Sequence, residues 1–166
     1  FKYETNNYEI SEEYKNISIV TDTADIEFIP SEDSKTTVIC YEQDKVKHSV
    51  SVNGETLEIK SVDTRKWYDH IGISFGSQKI KVYIPKGEYG LLSIKGSTGD
   101  VNLAREFSFE GVDVNISTGD IYAQGITTDN MKLRVSTGKI TVKDINCKYD
   151  LSVKVSTGKS DIANVN

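Results

Sequence analysis

Apolar and polar residues alternate strictly on both sides of a turn that recurs in the last third of this 166-residue chain. Val112, Val114 and Ile116 lead into one copy, Met131, Leu133 and Val135 into the next, and Leu151, Val153 and Val155 into the last. A period of two predicts strands with one buried face. Beyond the turns the alternation resumes with Ile121 and Ala123, then Ile140 and Val142, while Tyr122 and Thr141 point the other way. Ile126, Ile145 and Val165 stand seven residues past Gly119, Gly138 and Gly158 and give each unit a third apolar anchor. The turns are Ser97-Thr98-Gly99-Asp100, Ser117-Thr118-Gly119-Asp120, Ser136-Thr137-Gly138-Lys139 and Ser156-Thr157-Gly158-Lys159, at steps of 20, 19 and 20 residues. A short unit at a fixed interval cannot bury its apolar face alone, so it predicts an array or solenoid.

Each unit has room for two strands of about five residues plus turns and none for a helix. The expected fold is all-β: a single-domain β-solenoid of stacked two-strand coils whose equivalent strands form facing parallel sheets, with an antiparallel meander or sandwich as the alternative. The domain spans 1–166, with 1–15 as an N-terminal extension, 63–78 as an aromatic insertion and 91–166 as the regular repeats. Upstream, Asp22-Thr23-Ala24-Asp25 is a degenerate copy flanked by Ile17, Ile19, Ile26 and Phe28. Further strands are expected from Thr36 to Tyr41, Val46 to Val52, Thr56 to Ile59 and Lys79 to Ile84, the last stopped by Pro85. Asn53-Gly54 between two alternating runs signals a tight hairpin.

In the turns, Gly can take positive φ and the Ser and Thr hydroxyls can bond local backbone. Asp100, Asp120, Lys139 and Lys159 form a column with signs minus, minus, plus, plus, expected as a solvated edge in which exposed neighbours contribute little. A net charge of -5 repels phosphate backbones, and no run of Lys and Arg gathers into a basic stripe, so nucleic acid is not an expected partner. No apolar stretch is long enough to cross a bilayer. The chain begins at Phe1, and a membrane connection is expected only through an upstream signal or anchor. Cys40 and Cys147 read as small buried apolar residues.

Several fragments imitate catalytic motifs. Ser136 and Lys139, like Ser156 and Lys159, have the Ser-x-x-Lys spacing of penicillin-interacting enzymes, but a nucleophile needs one specially activated environment and these serines occupy similar corners. Gly158-Lys159-Ser160 resembles the end of a phosphate-binding loop, yet Val153 stands where its first glycine belongs. His48 alternates within a strand, Asp69-His70 are mere chain neighbours, and neither His joins a metal-ligand spacing. The glycine-rich calcium repeat is absent, and Asn16-Ile17-Ser18 and Asn115-Ile116-Ser117 match the glycosylation pattern inside expected strands. No catalytic residue, metal or cofactor is therefore expected. The remaining contact surface is the insertion, where Trp67, Tyr68, His70 and Phe75 either bind a partner or fold back to cap the core.

From the Ile17–Phe28 unit through Lys79-Ile80-Lys81-Val82-Tyr83-Ile84-Pro85-Lys86 and the Ser-Thr-Gly series, the chain resembles a bacterial candidate-adhesin domain family of unknown function, often called toast-rack-like. The resemblance implies a β-solenoid-like domain outside the cytoplasmic membrane, often behind an N-terminal anchor, with no known catalytic residues. The function expected from it is a non-enzymatic adhesin or scaffold whose partner is a cell-surface glycan or protein. An envelope-stress signalling accessory is the alternative, and a carbohydrate-active β-helix enzyme, which needs two facing carboxyls in a cleft, the third reading.

Overall fold

A computed structural model describes residues 3–63 and 78–166. The fold is all-β, with no helix among the described residues. Its strands in chain order are β1 (Tyr3–Ile10), β2 (Asn16–Thr23), β3 (Asp25–Pro30), β4 (Thr36–Gln43), β5 (Val46–Asn53), β6 (Thr56–Asp63), β7 (Lys79–Ile84), β8 (Glu88–Thr98), β9 (Val101–Thr118), β10 (Ile121–Cys147) and β11 (Leu151–Val165).

The repeats pair in parallel and in register. Val112 lies beside Leu92, Met131 beside Val112, and Leu151 beside Met131. The degenerate copy joins the same ladder, with Thr23 beside Thr98. A meander would have made these ladders antiparallel, and among the described residues antiparallel pairing is confined to β1–β4, β4–β5, β4–β7 and β5–β6. Nor is the sheet a simple open stack. Its path runs β11-β10-β9-β3-β7-β4-β5-β6-β2-β8, and β8 pairs β9 again, so it closes into a ring with β10 and β11 built onto β9.

The 19-residue step has a physical counterpart. Residues 121–124 pair with positions 20 earlier, but from Ile126 onward the offset is 19, and the register shifts at Gly125, whose φ is 71°. One residue fewer on that level leaves Arg105 and Glu106 of β9 opposite Gly125 alone, a bulge in the β9 backbone. The strands are also longer than the expected five residues. Hydrogen-bonded pairing continues through the turn, with Thr137, Gly138 and Lys139 beside Thr157, Gly158 and Lys159, so the corner bends the ladder without interrupting it. The Asn53-Gly54 signal is correct to within one residue: Asn53 pairs with Thr56, leaving Gly54-Glu55 as the two-residue loop with φ 63° at Gly54. The N-terminal residues expected as an extension form β1, which lies antiparallel along β4.

The alternating residues form one core, including Ile17, Ile19, Phe28, Leu57, Leu92, Val114, Leu133 and Val142. Each such side chain contributes about 1.5–3 kcal/mol by leaving water. Aromatic rings run through one side of it: Phe28 meets Phe107, Phe107 meets Phe109, Phe109 meets Tyr89 and Tyr89 stacks on Tyr14. Burial raises the phenol pKa of both tyrosines, and Tyr89 donates its hydroxyl to the Pro85 carbonyl. At the opposite end the last level thins out. Ser160 is exposed where earlier levels bury Ile121 and Ile140, Ile162 is exposed where they bury Ala123 and Val142, and among the described residues no strand covers the outer edge of β11.

Candidate functional site

The Ser-Thr-Gly corners are a backbone column before they are anything else. Gly99, Gly119, Gly138 and Gly158 have φ of 146°, 149°, 148° and 140°, a region that side chains disfavour. A Cβ on Gly119 would overlap the carbonyl oxygen of Gly99, one on Gly138 that of Gly119, and one on Gly158 that of Gly138. Gly99 rests in the same way on Ala24, so the degenerate copy is the column's first level. Glycine is required twice over, by dihedral and by space.

The acidic position of the motif is equally committed. Asp25 Oδ1 accepts the Asp100 N–H at 2.8 Å, Asp100 Oδ1 that of Asp120 at 2.9 Å, and Asp120 Oδ1 that of Lys139 at 2.9 Å. The column is exposed, as expected of a solvated edge, and in addition the carboxylates of Asp25, Asp100 and Asp120 each accept the next level's backbone donor. Lys139 ends the series and pairs with Asp161 at 3.3 Å. Ser97, Ser117, Ser136 and Ser156, with Thr98, Thr118, Thr137 and Thr157, are exposed along the same corner.

A second polar construction lies in the core. β2 supplies Thr21, β4 supplies Cys40 and Glu42, and β5 supplies His48; each faces inward because it shares the parity of its strand's buried apolar residues. Glu42 Oε2 accepts both the backbone N–H of His48 at 2.7 Å and its ring Nδ1–H at 2.9 Å, while Oε1 accepts Asn6 Nδ2 at 2.7 Å. The Thr21 hydroxyl lies 2.9 Å from His48 Nε2. In the tautomer that carries its proton on Nδ1, directed at the Glu42 carboxyl group, Nε2 is the acceptor for the Thr21 hydroxyl.

The order hydroxyl, imidazole, carboxyl is that of a nucleophile relay. Relay chemistry also needs a substrate beside the hydroxyl, and Thr21, His48 and Glu42 are only 6 %, 3 % and 0 % exposed. The arrangement orients and satisfies buried groups, tying β2, β4 and β5 together through one imidazole.

Cys40, Glu42 and His48 also form the one group of metal-type donors among the described residues, with ligand atoms within 4.8 Å of one another. The expectation that His48 stands apart from any such cluster is thereby corrected. A thiolate, imidazole and carboxylate would suit zinc. In the structure Glu42 Oε2 is the acceptor for both the backbone N–H and the ring Nδ1–H of His48, and the Cys40 thiol is raised above its ordinary range. Burial, then the nearby Glu42 charge, pushes its pKa up to about 12. Cys40 is a buried apolar residue as expected, whereas Cys147 is half-buried, and both are free thiols.

Trp67, Tyr68, His70 and Phe75 lie outside the described residues. Ser136, Lys139, Ser156 and Lys159, which imitate a catalytic motif, all lie exposed on the glycine column. The buried cluster escaped sequence reasoning, although a polar residue at a buried parity, Glu42 after Val38 and Cys40, was the available sign.

No curated protein sequence matches the chain. A crystal structure of a candidate cell adhesion protein from Clostridium sporogenes ATCC 15579 is similar over 98% of each chain, with TM-score 0.58 and 11% identity. A candidate adhesin from Parabacteroides distasonis ATCC 8503 is similar over 99% of this chain and 80% of its own, with TM-score 0.50 and 16% identity. At such identities these likenesses concern the fold alone. The family model described as Toastrack DUF4097 matches residues 14–166, and the chain belongs to that family.

Proposed function

We propose that the chain is a non-enzymatic, extracytoplasmic adhesion or scaffold domain that binds a cell-surface glycan or protein, and that its repeats are the stacked two-strand coils of a β-solenoid. One observation carries this reading: the glycine and aspartate positions of the repeated motif are taken up by the fold. The glycines and aspartates that would have to form a recurrent site instead seat one backbone level on the next. The buried relay-like group is likewise occupied with its own hydrogen bonds. What such a molecule offers a partner is a rigid, regular surface. The candidate-adhesin descriptions of the similar structures support the same class.

The test is binding of the purified domain to intact bacterial surfaces and to a glycan array, with Trp67→Ala and Tyr68→Ala as companion variants. Saturable surface binding without turnover is the expected result. Hydrolysis of an arrayed glycan, or no surface binding at all, would contradict the proposal.

A further inference from the structure

On the sheet face built by β6, β2, β8, β9, β10 and β11, outward positions fall into rows because the pairing is in register. One row reads Lys60, Val20, Lys95, Asn115, Arg134, Lys154 across successive strands. The adjacent row, two residues earlier on each strand, reads Glu58, Ser18, Ser93, Asp113, Lys132, Ser152. Together they hold five cations and two carboxylates, in a chain whose net charge is -5. The strands lie about 4.8 Å apart. This is a basic stripe that no run of sequence displays; it is assembled from residues about 20 apart by the repeat itself.

The charges are poorly matched within the fold. Lys60 pairs with Glu58, but Lys95, Lys132, Arg134 and Lys154 make no ion pair among the described residues. Arg134 stands directly beside Lys154, so like charges repel on neighbouring strands. Arg134 Nε is closed off from solvent and has no hydrogen-bond partner. Lys132 has Asp113 in register beside it, but the row of Lys95, Arg134 and Lys154 contains no carboxylate, whereas on the opposite face Asp25 stands beside Lys79 and Glu27 beside Lys81. A folded domain gains nothing by leaving cations in register with no partner, and an anion laid across the strands would complete them.

We infer that this face is a docking surface for an extended acidic polysaccharide, with Lys95, Lys132, Arg134 and Lys154 meeting its carboxylates. The inference rests on the adhesion reading above and names the ligand class. Around the cations the face presents hydroxyl and amide groups, Ser93, Asn115 and Ser152, with Ser117 and Ser136 one row further on. Such groups pair with sugar hydroxyls. The two rows contain no aromatic ring on which a nucleobase could stack, which disfavours single-stranded nucleic acid. Val20 is their only apolar residue, too little to enter a membrane surface.

The experiment measures binding of polygalacturonate to the intact chain at low and high salt, beside neutral dextran, single-stranded DNA and anionic lipid vesicles. The triple variant Lys132→Gln, Arg134→Gln, Lys154→Gln is compared with Lys143→Gln, an exposed cation elsewhere on the molecule. We expect salt-sensitive binding of polygalacturonate, weakened about tenfold or more by the triple variant and unchanged by Lys143→Gln, with the thermal midpoint of the triple variant not lowered. Absence of polygalacturonate binding, equal loss in both variants, or preference for dextran, DNA or vesicles would overturn the assignment. Surface binding that persists when polygalacturonate is not bound would reject this ligand and leave the adhesion reading standing.

Discussion

The glycine corner and the Glu42–His48 cluster are both polar constructions that hold strands together, and they do so by opposite means. The corner is exposed and repeated, and its strength is steric and additive: each Gly is fitted against the carbonyl below and each Asp takes the N–H above. The cluster is single and buried, and depends on complete satisfaction, since one imidazole and one carboxyl group serve donors from Thr21 on β2, His48 on β5 and Asn6 on β1. A repeated motif marks an architecture that tolerates small losses at each level. A unique buried network tolerates almost none.

The comparison breaks most sharply at Gly138. Gly138→Ala places a Cβ on the Gly119 carbonyl at a φ of 148° and should cost on the order of 4 kcal/mol, combining dihedral strain with overpacking. Gly54→Ala has positive φ but open space and should cost about 1 kcal/mol. Equal shifts of the two urea midpoints would mean that the corner has no steric column. Next comes Glu42→Ala, expected to cost about 3 kcal/mol by stranding buried donors on His48 and Asn6. Its double-mutant cycle with His48→Ala should show coupling above about 0.5 kcal/mol. Additivity would dismantle the network account.

Smaller effects belong to the exposed column. Asp120→Ala should lose about 1 kcal/mol with its acceptor for Lys139, and Asp120→Asn less than about 0.5 kcal/mol because the acceptor oxygen remains. A large loss in the Asn variant would show that charge, and not acceptance, is what the column uses. The thiols give the gentlest test. At neutral pH Cys147 should react with a thiol reagent while Cys40 does not, until the chain is unfolded. Because burial raises the Cys40 pKa from 9.0 to about 12, the unfolded chain loses that proton first as pH rises. Stability should therefore fall through that window by up to about 1.4 kcal/mol per pH unit more in the parent than in Cys40→Ala. Identical slopes would refute the burial assigned to the thiol.

Much of the architecture was legible because the repeat writes it at a fixed interval. The strands, the buried parity, the degenerate level at Asp22 to Asp25 and even the 19-residue step all follow from Ser-to-Ser spacing, the last as the bulge opposite Gly125. Ring closure was not legible, because pairing of β8 with both β2 and β9 joins residues 75 and 20 apart and is fixed by three dimensions. The corner glycines could be read, but not the Asp-to-amide bonds, which need the next level in place. The cluster and the cationic rows were hidden for the same reason. Thr21 and His48 are 27 residues apart, and Arg134 and Lys154 become neighbours only in register.

The central claim, that the glycine and aspartate positions of the repeated motif are committed to the backbone, is met most directly by amide hydrogen exchange at Asp100, Asp120 and Lys139. All three residues are exposed at the corner, yet each N–H ends on the carboxylate one level below. The account expects these amides to be protected, and Lys139 to lose protection selectively in Asp120→Ala and to keep it in Asp120→Asn. Rapid exchange of all three in the parent protein would contradict it and return the Ser-Thr-Gly-Asp series to the list of surfaces free for other chemistry.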